Sequence, residues 1–245
     1  MSEQYIYGIH AVMALLENPN RVIKQLYVAS GREDKKISDV LNMAKSRKIP
    51  LETLSSQVMN QKFSGRNHQG LVALTESLSE YSERDIPELL KRCSHHPLIL
   101  ILDGVTDPHN LGACLRSADA AGVDFVMIPK DKSASITPVV SKVASGAAET
   151  MPVARVTNLV RGMEILKEHG VWIYGAAGEA KHSVYSLDFK GPTALIMGRE
   201  GSGLRRLTRE HCDGLFSLPM YGAVTSLNVS VAAGICLYEA VRQRL

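Results

Sequence analysis

Three short strings in the second half of the chain hold residue types that can grip an anion, orient a hydroxyl or let a backbone come close to a ligand. The first runs from Asp103 through Asn110 and Gly112 to Arg116 and Ser117. It follows an unbroken apolar run, Leu98 to Leu102, and so sits where a buried strand ends, the edge at which open α/β sheets place ligands. Asn110 and Arg116 are six positions apart, which a helix converts into an angular separation of about 60–120°. An arginine held near a helix start anchors phosphate or carboxylate. Read alone, the same residues also describe a helix-capping asparagine and a solvated surface arginine.

The second string is Gly198-Arg199-Glu200-Gly201-Ser202-Gly203, again after an apolar run, Ala194 to Met197. Its glycines permit close approach of backbone to a ligand. The spacing is GxxGxG, not GxGxxG, and no acid closes a second strand about 20 residues later, so a Rossmann dinucleotide site is poorly supported. The third string, residues 218–234 (LPMYGAVTSLNVSVAAG), holds Ser226 and Asn228, either of which can cap the helix that follows. Ala232, Ala233 and Gly234 give that helix a narrow face.

Other chemistries find little support. There is no GxxxxGK[ST], HExxH or GxSxG string. The cysteines, Cys93, Cys114, Cys212 and Cys236, are scattered without a CxxC pair, so neither disulfides nor a zinc knuckle is expected. His95-His96 falls in a polar stretch, and Asp103 and Asp107 lie in a Gly/Pro turn, where turn formation is the simpler role. No metal site is expected.

The elements that must position these strings alternate. From Pro97 onward, strands are expected at Leu98 to Leu102, Asp124 to Ile128, near Val153, at Val171 to Tyr174, Ala194 to Met197 and Leu215 to Leu218. Helices are expected at about Gly112 to Ala121, Pro138 to Ser145, Leu159 to His169, Arg206 to Cys212 and Asn228 to Arg242. That is a parallel sheet of about six strands covered on both faces. In the first 75 residues, 7–16 have helical periodicity, 22–29 alternate as a strand, Lys35 to Lys48 form a basic amphipathic helix, Ser55 is a helix cap, and Ile49 to Leu54 and Gly70 to Thr75 are short strands. A small α/β domain over 1–76, a polar linker over 77–96 and a larger domain over 97–245 follow.

The order of the three strings is more specific than any one of them. Residues 110–122 (NLGACLRSADAAG), 195–204 (LIMGREGSGL) and 218–240 (LPMYGAVTSLNVSVAAGICLYEA) resemble the three motifs of the trefoil-knotted (SPOUT) RNA ribose 2′-O-methyltransferases. The resemblance covers about Leu98 to Leu245. Residues 7–17 (YGIHAVMALLE) and His68 to Gly70 are similar to the small RNA-binding domain fused to some members. It implies an α/β catalytic domain with a deep C-terminal knot, a ribosomal protein L30e-like N-terminal domain, S-adenosylmethionine as cofactor and a homodimer. The whole chain is most like members that methylate a guanosine in the peptidyl-transferase region of large-subunit ribosomal RNA. The catalytic motifs leave a transfer RNA target open, as well as a non-catalytic RNA-binding protein of the same fold.

By the same resemblance Asn110, Arg116, Glu200, Ser226 and Asn228 form the catalytic set. Ala177, Gly178, Gly198, Leu218, Met220 and Leu227 hold the cofactor. Lys24, Arg32, Lys35, Lys36, Arg66 and His68 are the RNA contacts. Charge agrees weakly: the net charge is only +3, but residues 1–75 hold ten Lys/Arg against six Asp/Glu. No apolar run approaches the roughly 20 residues of a membrane span, and the N-terminus lacks the pattern of a signal peptide. A cytoplasmic protein is expected.

Overall fold

The computed structural model describes residues 3–19, 21–31, 35–76, 81–199 and 201–245. Arg32 and Glu200, both singled out above, lie outside the described residues. The chain divides into two compact units. The first is Met1–Ser79 together with Ile136–Thr150, and the second is Glu80–Ser135 together with Met151–Leu245.

In the first unit the elements run β1 (Glu3–Tyr7), α1 (Ile9–Glu17), β2 (Ile23–Ala29), α2 (Lys35–Ser46), β3 (Leu51–Leu54), α3 (Ser56–Lys62) and β4 (Leu71–Glu76). The sheet order is β1-β4-β2-β3, with β4 antiparallel to β1 and β2 and β3 parallel to β2. Helices α1 and α2 bury Val12, Leu15, Ile37 and Val40 against Ile6, Leu26 and Val28 on one sheet face. Ser55 caps α3 as expected, accepting a bond from the Val58 N–H at 3.3 Å. The helix expected over residues 7–16 begins only at Ile9, and Tyr7 belongs instead to strand β1. Gly8, at φ 92°, is the turn that separates the two elements.

The second unit begins with α4 (Ile86–Lys91), β5 (Leu98–Asp103), α5 (Pro108–Ala120) and β6 (Phe125–Pro129). After β6 the chain contributes α6 (Pro138–Val143) and α7 (Ala147–Thr150) to the first unit. It then continues through β7 (Val153–Val156), α8 (Leu159–Glu168), β8 (Trp172–Ala176), β9 (His182–Ser183), β10 (Thr193–Gly198), α9 (Arg206–Glu210), β11 (Gly214–Ser217) and α10 (Val229–Arg244). The seven strands are ordered β7-β6-β5-β10-β8-β11-β9, and every neighbouring pair is parallel. The six strands expected from sequence are present, and the two-residue β9 joins them at one edge.

The polarity of residues 77–96 predicts a linker. Within that stretch Tyr81 bridges Ala154 at the sheet edge, and Ile86 and Leu89 are buried with Ile99, Phe125 and Met163. Two apolar residues at i, i+3 spacing bury one face of a short helix even when its average composition is charged.

Candidate functional site

The carboxyl ends of β8, β10 and β11 meet the start of α10 around one cavity of about 520 Å³. All six residues named for cofactor binding, Ala177, Gly178, Gly198, Leu218, Met220 and Leu227, line it, and so does Ser226. The location follows from the sheet: parallel strands end together, and the next loops must turn back over their carboxyl edge.

Gly198 is the tightest point. A Cβ there would lie 2.3 Å from the Gly203 carbonyl carbon and 2.5 Å from the Leu204 nitrogen. The intervening loop is closed on itself: Arg199 and Gly203 exchange backbone hydrogen bonds of 3.0 and 2.8 Å. Gly201 and Gly203 have φ of 80° and 65°, which side-chain-bearing residues adopt only with strain. The sequence reading of a close backbone approach therefore has a specific cause, which is the chain itself folding over the end of β10.

Asp103, left as a turn residue by sequence, has a larger role. It ends β5, pairs in register with Gly198 and is fully buried. Its Oδ2 accepts a bond from the Arg205 N–H at 2.9 Å, and its Oδ1 lies 3.3 Å from Arg205 Nε. The carboxylate straps down the chain leaving the glycine loop. A lone acid terminating an otherwise unbroken apolar strand was the available signal. Asp107 instead caps α5, accepting from the His109 N–H at 3.0 Å, with Pro108 beginning the helix.

Helices α5 and α10 run side by side in the same direction. The Asn228 amide donates to Asn110 Oδ1 at 2.8 Å, Gly234 faces Ser117, and the Tyr238 hydroxyl donates to the Ala120 carbonyl at 3.4 Å. Asn228 is the cap of α10, accepting from the Ser230 N–H at 2.9 Å. The structure thus joins Asn110, Asn228 and Ser226 at one end of this pair. Of these, Ser226 lines the cavity, and Asn110 and Asn228 stand beside it; Arg116 is exposed and, six residues along α5, stands about 9 Å farther along the helix axis than Asn110.

Cations border the same edge of the sheet. Lys130, Lys132, Arg199 and Arg205 are exposed in the segments that follow β6 and β10. Sequence reasoning passed over them, although each lies just beyond a strand end. Covalent cysteine chemistry finds no reagent here, because burial pushes the thiols of Cys93, Cys114, Cys212 and Cys236 up to about 12. Among the described residues no group of three or more His, Cys, Asp or Glu could hold a metal ion. Also among them, no helix is long and apolar enough to cross a membrane.

The residues proposed to touch RNA are scattered over the first unit. Lys35 and Lys36 are exposed at the start of α2, and Arg66 is exposed after α3. Lys24 already faces two carboxylates, Glu3 at 2.8 Å and Glu76 at 3.7 Å. His68 is 9% exposed, and both ring nitrogens are engaged. Its Nδ1 accepts from the Gly70 N–H at 3.0 Å, so its Nε2 donates to Asn60 Oδ1 at 2.9 Å. Its ring holds the turn before β4 and is not presented at the surface.

Residues 97–238 match the family described as SpoU rRNA Methylase, and residues 5–81 match RNA 2′-O ribose methyltransferase substrate binding. The chain is 54% identical over 246 residues to the 23S rRNA (guanosine-2′-O-)-methyltransferase RlmB of Vibrio vulnificus, covering 100% of this chain and 99% of the relative. It is 53% identical over 244 residues to the protein of that name from Escherichia coli K12, covering all of both chains. Among solved structures, an RNA 2′-O ribose methyltransferase superposes with a TM-score of 0.79 at 28% identity, covering 99% of this chain and 89% of that one. The fold is also that of the SpoU methyltransferase AviRb from Streptomyces viridochromogenes in complex with AdoMet, with a TM-score of 0.82 at 24% identity over 99% and 90% of the two chains.

Proposed function

The chain belongs to the SpoU rRNA Methylase family, and on that premise we propose that it methylates the ribose 2′-hydroxyl of a guanosine in 23S ribosomal RNA, in the peptidyl-transferase region, with S-adenosylmethionine as donor. The observation that carries the site assignment is the convergence of Ala177, Gly178, Gly198, Leu218, Met220 and Leu227 on one cavity.

The residues present fit that cofactor. The volume, about 520 Å³, is that of a small-molecule site. Leu218, Met220 and Leu227 offer apolar walls to an adenine ring, and Gly178 has open space where a side chain would be, leaving backbone amides and carbonyls reachable. When bound, S-adenosylmethionine supplies a methyl group on a positively charged sulfur. The protein's part is to hold the acceptor oxygen in line and ease the loss of its proton. Ser226 and the Asn110–Asn228 pair orient the ribose. Arg116 holds the neighbouring phosphate and stabilises the oxygen as its proton passes to solvent water. A guanidinium with a pKa above about 12 is a weak base, so it acts chiefly as an anchor. Glu200 belongs to the catalytic set by the sequence motif alone.

Arg116 reaches that centre across a homodimer. Val231 and Tyr238 on α10 are 51% and 52% exposed, and Tyr221 and Val224 before it are 96% and 63% exposed. Such apolar surface beside the site supports a partner subunit there. The fold reading extends to a deep trefoil knot formed by the chain from about Met197 to Glu239 and to an L30e-like first unit. A ribosomal RNA substrate makes the protein cytoplasmic.

The test is transfer of labelled methyl from S-adenosylmethionine to 23S RNA taken from cells lacking this protein, with nuclease digestion to identify 2′-O-methylguanosine. Transfer to no RNA sinks the reading. Arg116→Ala should fold normally and lose about 10²-fold or more in rate. Full activity in that variant would remove Arg116 from the catalytic set.

A further inference from the structure

The sheet of the first unit has two differently furnished faces. One is closed by α1 and α2. The other carries Tyr5 and Tyr7 of β1 and Tyr27 of β2, with α3 laid across it so that Phe63, at the helix end, meets all three rings. Phe63 stands edge-on to Tyr5, Tyr7 and Tyr27, at centroid distances of 5.4, 6.1 and 5.2 Å. Tyr27 and Phe63 are buried, whereas Tyr5 is 36% exposed and Tyr7 half-buried. Two partly open rings are thus locked in place by two closed ones, at positions i and i+2 of an edge strand, where both must share a face.

Cations sit against this cluster. Lys62 Nζ lies 4.2 Å from the Tyr27 ring centroid, and the Arg66 guanidinium 5.9 Å from that of Tyr7. Lys62 is only loosely paired, with Glu52 at 3.9 Å and both groups exposed. Rigid aromatic faces bordered by Lys and Arg are what unpaired nucleotides require: rings for the bases, cations for the phosphates. The unit's excess of basic residues favours a polyanion over a protein partner.

Resting on the methyltransferase reading above, we propose that Tyr5 and Tyr7, backed by Phe63 and flanked by Lys62 and Arg66, form a stacking platform for unpaired bases of the RNA substrate. This places the RNA surface on the α3 side of the sheet, where the His68 ring packs edge-on against Phe63 at 6.4 Å. Stacking is tolerant of base identity, so the platform grips a single-stranded segment and leaves the choice of guanosine to the methylating centre.

The experiment uses the full-length protein and a 23S RNA fragment transcribed without modification. A Y5L/Y7L variant keeps apolar bulk and removes both rings. Its KM for RNA should rise about tenfold or more, with kcat at saturating RNA and S-adenosylmethionine affinity unchanged. A KM equal to that of the parent overturns the platform. Should the variant misfold, irradiation of the unaltered protein with RNA carrying 5-iodouridine decides instead. Cross-links to the peptide holding Tyr5 and Tyr7 are expected, whereas cross-links confined to α2, or none on this sheet face, overturn the proposal and leave the patch for a protein partner. Absence of methyl transfer by the unaltered protein would strike the enzymatic reading, and the cross-link would still report on the platform.

Discussion

At the scale of single residues, Gly198 matters for the atoms it lacks. With Gly203 backbone 2.3 Å from where its Cβ would stand, Gly198→Ala must push the glycine loop off the end of β10. Calorimetric titration with S-adenosylmethionine should show affinity falling at least about tenfold, because a displacement near 1 Å disrupts a preorganised site, while the circular dichroism spectrum is kept. Unchanged affinity would mean that the loop yields freely. The glycine string was legible in the sequence because glycine clusters have few other uses. Asp103 was less so: an acid in a Gly/Pro turn has an ordinary local explanation, and only the register that sets it beside Gly198 and the chain path that brings Arg205 back to it give it another. His68 shows the opposite limit, since a histidine's type says nothing about which way its ring faces, and here it faces inward.

At the scale of elements, α10 is the piece on which the site depends, and its far end is held by a polar cluster. Glu239 accepts two bonds from Arg242 and one from Gln243, each 2.8 Å. Gln243 and Arg244 in turn bind the backbone of residues 187–191, and Arg244 also reaches the carbonyls of His96 and Pro97. The Arg242 and Gln243 bonds hold the Glu239 carboxyl down at about 2. Its folded value lies below the ordinary glutamate value of about 4.3, so its contribution to stability is fully present above that value and is lost as pH falls towards 2. Melting temperature should therefore drop between about pH 4.5 and pH 2, and Glu239→Gln should show a shallower drop. Identical slopes would refute the link. The strands and helices of the second unit were legible because buried parallel strands are short continuous apolar runs. Strand β1 was not, because Ile6 alone of its five residues is buried, and two-residue β9 exists only through its pairing with β11.

At the scale of the whole molecule, the chain returns to the first unit for Ile136–Thr150 after beginning the second. The return is fastened by a buried ion pair across 128 residues, Arg21 to Glu149 at 3.0 Å, with side chains 7% and 0% exposed. Asn18 adds a bond to the Glu149 carbonyl at 3.0 Å. Burial pushes the Glu149 carboxyl up and Arg21 opposes it. Removing one member of such a pair leaves a buried charge without a partner, at a cost of about 3–5 kcal/mol. Arg21→Leu should lower the urea midpoint accordingly, and a change within about 0.5 kcal/mol would show that Glu149 finds water instead. It also follows that a fragment starting at residue 80 leaves Glu149 and the apolar residues of α6 and α7 without their packing partners. Nothing local announces this return, because Pro138 to Ser145 reads as an ordinary helix following a strand.

The sequence by itself determined the class of the second unit, the three strings proposed to carry the chemistry and their order, because periodicity, glycine clustering and motif spacing are local properties. Tertiary structure alone decided what those residues face. It gathered six dispersed positions on one cavity, set Arg116 outside its wall, turned His68 inward, and assembled Tyr5, Tyr7, Tyr27 and Phe63 into one aromatic face. Each of those outcomes depends on strand register and chain return across tens to hundreds of residues, which residue types along the chain do not encode locally.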